Sequence, residues 1–399
     1  MQLVEQHVVK KNSPMWQEID AAAFASKNLY NAANYILRQA FIHEGRSLDI
    51  KALYPEVKLT DAYQGLPRKV SNDVLRQVLR DWKSYREAIK EYAKHPSKFL
   101  GHPKLPKYKE KLTGRNLLTY DIQAISSKLL RIGQIKLSGL SFIIKTTKKA
   151  IDQVRIAPKK THYVIEVVYS VEPEPAKLND HLVAGIDLGV NNLAVVASNK
   201  PGCVPLLING RPLKAINQFY NKRKAELQKH LPGKRETSNL IQRIADKRTR
   251  QINHYLHTAS RRIVDRLVKE GIGLLVIGKN DGWKQKVNKG RINNQNFVTI
   301  PHARFIEMLT YKCELVGIQV ITNNESHTSK CSFLDNEPIC RQEHYAGKRV
   351  KRGLFRSATG KLINADLNGA LNIIRKVIPA AFSEGIEGAA VHPLPLGIK

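Results

Sequence analysis

Two carboxylates stand where the local pattern would aim them at one place. Asp187 ends a buried run, Val183-Ala-Gly-Ile-Asp187, beside Gly185 and Gly189, whose missing side chains let a metal or a backbone come close. Asp366 opens Asn364-Ala-Asp-Leu-Asn-Gly-Ala-Leu-Asn-Ile373, a helix start whose Leu367, Ala370 and Ile373 pack inward. Phosphodiester hydrolysis by two magnesium ions about 3.5 to 4 Å apart needs several carboxylates converging on one point, because oxygen ligands must both hold and partly neutralise the metals. Taken singly, each is an ordinary N-cap or surface carboxylate.

The elements that must position them are legible. Val183–Asp187 reads as a buried strand, Asn191-Asn192 as a turn, and Leu193–Ala197 as the hairpin partner. Two long helices follow, about 213–230 and 236–269, then a strand 273–277, a helix 301–316, a strand 318–322 and a last helix 364–377. Hairpin, helix, strand, helix, strand is the order of an RNase H-like α/β core. Upstream, Val74, Val78, Trp82, Tyr85, Ile89 and Tyr92 recur at gaps of three and four, the stripe of a buried helix face. Its opposite face carries Arg76, Arg80, Lys83, Arg86 and Lys90. His102–Lys111, with two prolines, is expected to be a basic extended linker, and Tyr163–Tyr169 a strand of an antiparallel unit.

Charge names the class of partner. The 399 residues hold 66 Lys and Arg against 34 Asp and Glu, a net +32, while 42% hydrophobic residues are ordinary for a folded protein. Solubility asks for a net magnitude of only about 2 to 8 in a small domain, so the excess points to a polyanion, foremost nucleic acid. It is uneven: residues 101–150 carry 11 basic against 2 acidic side chains and 201–250 carry 12 against 3, whereas 1–50 carries 5 against 5. Four cysteines, no leader pattern after Met1 and no apolar run long enough for a bilayer are read as a cytoplasmic, nucleoid-associated protein.

Several ordered motifs then resemble one family. Gly185-Ile-Asp-Leu-Gly-Val-Asn-Asn192, Asn296-Phe-Val-Thr-Ile-Pro301 before Tyr311-Lys-Cys-Glu-Leu-Val-Gly317, Thr328-Ser-Lys-Cys-Ser332 and Asp366–Ile373 are similar to TnpB, the OrfB protein of insertion sequences, and so are Asn28–Gln39 and Gly101–Tyr108. That family comprises RNA-guided DNA endonucleases ancestral to the type V CRISPR effectors. The resemblance implies an α/β fold with a RuvC nuclease core at 181–399, carrying a nucleic-acid-binding insertion at about 327–363. It also implies a β-barrel wedge domain at 1–40 and 112–180, interrupted by a helical recognition insertion at 41–111. Partners would be a guide RNA encoded near the gene and double-stranded target DNA. Asp187 and Asp366 match the first and third carboxylates of the metal site, which is expected to hold two Mg2+.

Two departures matter. The family's second carboxylate ends the strand that here closes on Gly278. Glu325, ending the neighbouring strand, has a side chain long enough to span the roughly 4.8 Å between strands and is the expected replacement. Asp281 is a further candidate, and a site without nuclease activity the remaining alternative. Relatives often hold zinc with two Cys-x-x-Cys pairs; here Cys331, Cys340 and His344 lack a fourth ligand, and no zinc is expected. The nucleic-acid contacts are assigned to Arg38, Arg76, Arg80, Lys83, Lys104, Lys107, Tyr108, Lys222, Arg223, Lys348, Arg349 and Arg352. The leading expectation is a Mg2+-dependent RNA-guided endonuclease; the rivals are a nuclease-inactive guide-directed repressor and a transposase accessory protein.

Overall fold

The computed structural model describes residues 1–233, 235–280, 299–383 and 392–398. Contacts divide the chain into two compact units, Met1–Val171 and Glu172–Lys399. Among the described residues no helix is long and apolar enough to cross a membrane.

In the first unit, strand β1 (Gln2–Lys10) precedes helix α1 (Trp16–Glu44), and α2 (Ile50–Val57) and α3 (Asp61–Gln64) precede α4 (Arg68–Lys94). Then come β2 (Leu118–Asp121), α5 (Ser127–Leu130), β3 (Gln134–Lys136), β4 (Ile143–Lys145), β5 (Gln153–Pro158) and β6 (His162–Ser170). Of the apolar stripe on α4, Val74, Val78 and Trp82 are buried together with Val70 and Leu75, sharing a core with Leu29, Ala33 and Leu37 of α1, while Tyr85, Ile89 and Tyr92 are half-buried. Where a closed barrel was expected, the described strands form an open four-stranded antiparallel sheet, β1-β6-β5-β2, and a separate pair, β3-β4. α1 runs unbroken across residue 40, and both its halves enter one apolar core.

The stretch 102–111 has no regular structure, as its prolines dictate, yet it is no free linker. Asn31 donates to the Lys109 carbonyl at 2.9 Å and accepts from its N–H at 2.8 Å, as a paired strand would. Asn34 and Arg38 both donate to the Pro106 carbonyl, and Lys27 to that of Lys111. The backbone polar groups that proline-rich chain leaves over are thereby taken up by α1.

The second unit is built on a six-stranded mixed sheet, ordered β11-β10-β7-β8-β9-β15. Its members are β7 (Asn179–Leu188), β8 (Asn192–Ser198), β9 (Leu206–Asn209), β10 (Ile272–Gly278), β11 (Gln319–Asn323) and β15 (Leu394–Leu396). β7, β8 and β9 run antiparallel in succession, while β10 lies parallel to β7 and β11 parallel to β10. Helices α6 (Arg211–Lys229), α7 (Asn239–Lys269), α8 (His302–Leu315) and α9 (Ala365–Val377) fall in the order read from the sequence. A small sheet of β12 (Lys348–Lys351), β13 (Leu354–Arg356) and β14 (Leu362–Asn364) precedes α9.

Period-two alternation assigns each sheet residue to a layer. Ala184, Ile186, Leu275 and Ile277 pack with Leu256, Ile263, Phe305 and Leu309 of α7 and α8. Val183 and Val276 pack with Ile373 and Ile374 of α9 on the other face. By the same parity Gly185, Asp187 and Gly278 look toward α9. Close approach depends on glycine: a Cβ at Gly185 would lie 2.5 Å from the Ala370 carbonyl oxygen.

Candidate active site

α9 brings Asp366 into the site and is fixed at its start by Asn364, whose side chain accepts from the Asp366 and Leu367 N–H groups at 3.0 and 3.1 Å. Asn192, at the start of β8, donates to Asp366 Oδ2 at 2.7 Å. Arg349 on β12 stands 3.7 Å from Asp366 Oδ1. One turn along α9, Gly369 leaves the space that Asp187 fills: a Cβ there would be 2.7 Å from Asp187 Oδ2.

Glu325 occupies the space above Gly278. A Cβ at Gly278 would lie 3.0 Å from Glu325 Oε2, 3.2 Å from its Cβ and 2.5 Å from Ile373 Cδ1, so the carboxylate is seated against the bare end of β10. The route differs from the expected one. β11 stops at Asn323, paired with Gly278, and Glu325 lies two residues beyond the strand rather than ending it. Its return is built from local bonds: Lys279 N–H donates to the Asn323 carbonyl at 2.8 Å, and Thr328 Oγ1 to the Glu325 carbonyl at 2.8 Å. Asn280 then grips Glu325 twice, donating to Oε1 at 3.1 Å and accepting from its N–H at 3.2 Å.

Asp187 feels the other two carboxylates. Burial pushes the Asp187 carboxyl well above the usual carboxylate range, the negative charges of Asp366 and then Glu325 push it further, and Arg349 opposes them. Charged oxygen donors of this kind suit a hard divalent cation. Among the described residues no three of His, Cys, Asp and Glu stand close enough to hold a metal as they are, so holding one would require these side chains to draw in. Asp281 lies outside the described residues, as do 296–298 of the motif before α8.

The segment between β11 and β12 is held by side chains. Buried Glu337 accepts from Ser332 N–H at 2.6 Å and Ala346 N–H at 2.9 Å. Asn368 donates to the Cys331 carbonyl, and Asn372 to those of Thr328 and Cys331. Cys331 is buried with its thiol on the Cys340 carbonyl at 3.6 Å, while Cys340 and His344 are exposed.

Of the residues assigned to nucleic acid, Arg80, Lys83, Lys104, Lys107, Lys222, Lys348 and Arg352 are exposed. Arg76 and Arg223 are exposed but paired with Asp73 and Glu226. Arg38 is engaged within the fold, bonded to Pro106 and 5.2 Å from the Tyr108 ring centroid. From the sequence Asn192 reads only as a turn residue and Asn280 carries no signal: a polar turn residue gains meaning only once strand register places it beside a carboxylate.

Residues 166–284 match the family described as OrfB_IS605, probable transposase, and 302–373 match Cas12f1-like, TNB domain. The chain is 26% identical over 403 residues to the TnpB-like protein ORF457 of Acidianus two-tailed virus, covering 90% of this chain and 83% of that protein. It is also 26% identical over 239 residues to the CRISPR-associated endodeoxyribonuclease Cas12f1 of Sulfoacidibacillus thermotolerans, spanning 57% of this chain and 54% of that one. A solved Cas12f1–sgRNA–target DNA complex shares the fold, with a TM-score of 0.55 at 15% identity over 90% of this chain and 83% of that one. The two family matches lie in order along the carboxylate-bearing unit and the viral relative extends through most of the remainder; together they support a TnpB-type protein related to the type V effectors.

Proposed function

We propose that the protein is an RNA-guided, Mg2+-dependent DNA endonuclease whose second unit is a RuvC-type nuclease core with Asp187, Glu325 and Asp366 as its carboxylates. The observation that carries this reading is Glu325 seated over Gly278, on the sheet face that also presents Asp187 and beside the helix that carries Asp366. A guide RNA would read the target by base pairing, while the protein reads a short flanking duplex and grips backbones through Lys and Arg. The first unit would then supply the wedge and recognition parts, and residues 327–363 a zinc-free nucleic-acid-binding insertion.

Bound divalent metal would supply polarisation of the scissile phosphate and a water acidic enough to attack it. The chain's own contribution is orientation. Asn192 fixes the Asp366 carboxylate, Asn280 fixes that of Glu325, and Gly369 and Gly278 leave room for the carboxylates that lie against them. Arg349 places positive charge where a phosphodiester approaching Asp366 would lie.

The test is to purify the protein with its RNA and present a plasmid library randomised beside the target. Wild type is expected to linearise plasmids in Mg2+ and not in EDTA, while Asp187→Ala and Asp366→Ala each lose cleavage by at least about 100-fold and keep RNA binding. Guide-dependent DNA binding without cutting by the wild type would instead favour the repressor, the reading that Gly278 supports.

A further inference from the structure

Glu325 stands two residues past the end of β11, so strand pairing does not place it. The turn that presents it is held from α9. Lys376 lies in the last turn of that helix, where a lysine can satisfy its own helix's final carbonyls. Its half-buried side chain instead crosses to the turn, and the ammonium donates to the Asn324 carbonyl at 2.8 Å and the Ser326 carbonyl at 3.0 Å. These belong to the residues on either side of Glu325. One helical turn earlier, Asn372 donates to the Thr328 carbonyl at 2.9 Å. Thr328 in turn donates to the Glu325 carbonyl from its N–H at 3.2 Å and from its hydroxyl at 2.8 Å. Ile373, between the two polar residues, faces Gly278, where a Cβ would lie 2.5 Å from its Cδ1.

We propose that Lys376 is the positioning residue for Glu325, clasping the backbone on both sides of it so that one helix sets Asp366 near its start and Glu325 near its end. The inference rests on the nuclease reading above and adds what places the carboxylate that stands over Gly278. An ammonium carries three donors on a flexible stem, which suits two converging carbonyls. Ordering that stem costs rotamer entropy, and two charge-assisted hydrogen bonds offset it. The clasp acts on the main chain while Asn280 holds the carboxylate itself, so the two fix different parts of one residue. A turn released from the helix would let the carboxylate wander, and a displacement of about 1 Å at a reacting site is enough to cost roughly 100-fold in rate.

The test uses the RNA-loaded protein and has two readouts. In EDTA, amide hydrogen exchange is followed over residues 323–328, where the Ser326 N–H donates to Asn324 Oδ1 at 2.8 Å and the Thr328 N–H to the Glu325 carbonyl. Lys376→Met, which keeps the stem and removes the donors, is expected to speed exchange there by about tenfold or more, with β7, β10 and the first turns of α9 unchanged. In Mg2+ the same variant is expected to cut about tenfold or more slowly and to need more Mg2+ for its half-maximal rate, as loss of a partner behind a metal ligand does. Lys376→Arg, whose guanidinium can serve both carbonyls, should restore both readouts. Unchanged exchange at 323–328 would overturn the proposal, as would faster exchange throughout the second unit, which is a loss of fold. Faster local exchange with wild-type cleavage and Mg2+ requirement would overturn it too, leaving a fastening of the turn without effect on Glu325. A wild type that cuts, with Lys376→Met cutting equally well, removes Lys376 alone; a wild type that binds target and never cuts removes the nuclease reading itself.

Discussion

Lys312 carries its charge into the contact between α7 and α8. Its ammonium donates to the His257 carbonyl at 2.8 Å and to Ser260 Oγ at 2.7 Å, and burial pulls its pKa down to about 8, with Arg261 adding to the fall and Asp265 opposing it. A lysine whose folded pKa is depressed penalises the folded state fully below that pKa, and the penalty fades as pH rises through about 8 toward the usual lysine range. Lys312→Met, apolar and flexible, is therefore expected to unfold at higher denaturant than wild type at pH 7, by about 1 to 2 kcal/mol after allowance for partial solvent screening. The gap should close by about pH 10; a variant less stable at pH 7 would mean that the two hydrogen bonds outweigh the buried charge. The same scale explains what the sequence could show of the site. Asp187 and Asp366 sit in patterned runs that reveal a strand end and a helix start, so both are legible by position. Glu325 required a gap elsewhere, at Gly278, to draw attention to it. Asn192 and Asn280 act through partners 174 and 45 residues away, a relation no local spacing records.

Among the elements, α9 sets the geometry, because it touches β7, β8 and β10 at once. Gly185→Ala would press a methyl group toward the Ala370 carbonyl and the Ile374 side chain. It is expected to lower stability by about 1 to 3 kcal/mol by overpacking and to reduce cleavage by more than the loss of folded protein explains, since it shifts the helix that carries Asp366. Chemical unfolding alongside an assay on the folded fraction separates the two; an unchanged specific activity would show that the carboxylates tolerate movement of α9. The helices and core strands of this unit were readable because their apolar periods are long and uninterrupted, from Leu256 to Leu267 on α7 as from Leu367 to Ile374 on α9. The barrel expected of the first unit had no such signature. Strand closure is a matter of long-range pairing, and the described strands there pair only as an open sheet and a separate ribbon.

At the scale of the molecule, a net charge of +32 favours a polyanionic partner, and phosphate contacts release counterions. RNA affinity is expected to fall by roughly 10³ or more between 50 and 200 mM salt if six or more phosphates are neutralised, with the slope of log affinity against log salt giving their number. A flat salt response would place recognition in groups other than Lys and Arg. The charge made nucleic acid the partner class at first sight, whereas which exposed cations meet RNA and which meet DNA depends on surfaces that composition does not order. In the proposed nuclease, Glu325 supplies the carboxylate that Gly278 cannot. The most direct test is the rate of target cleavage in Mg2+ by the RNA-loaded protein and by Glu325→Gln, which keeps the size and the Asn280 contact but removes the charge a divalent ion needs. A loss of about 100-fold or more, with guide and target binding unchanged, is the predicted result; cleavage by the variant at the wild-type rate would contradict it.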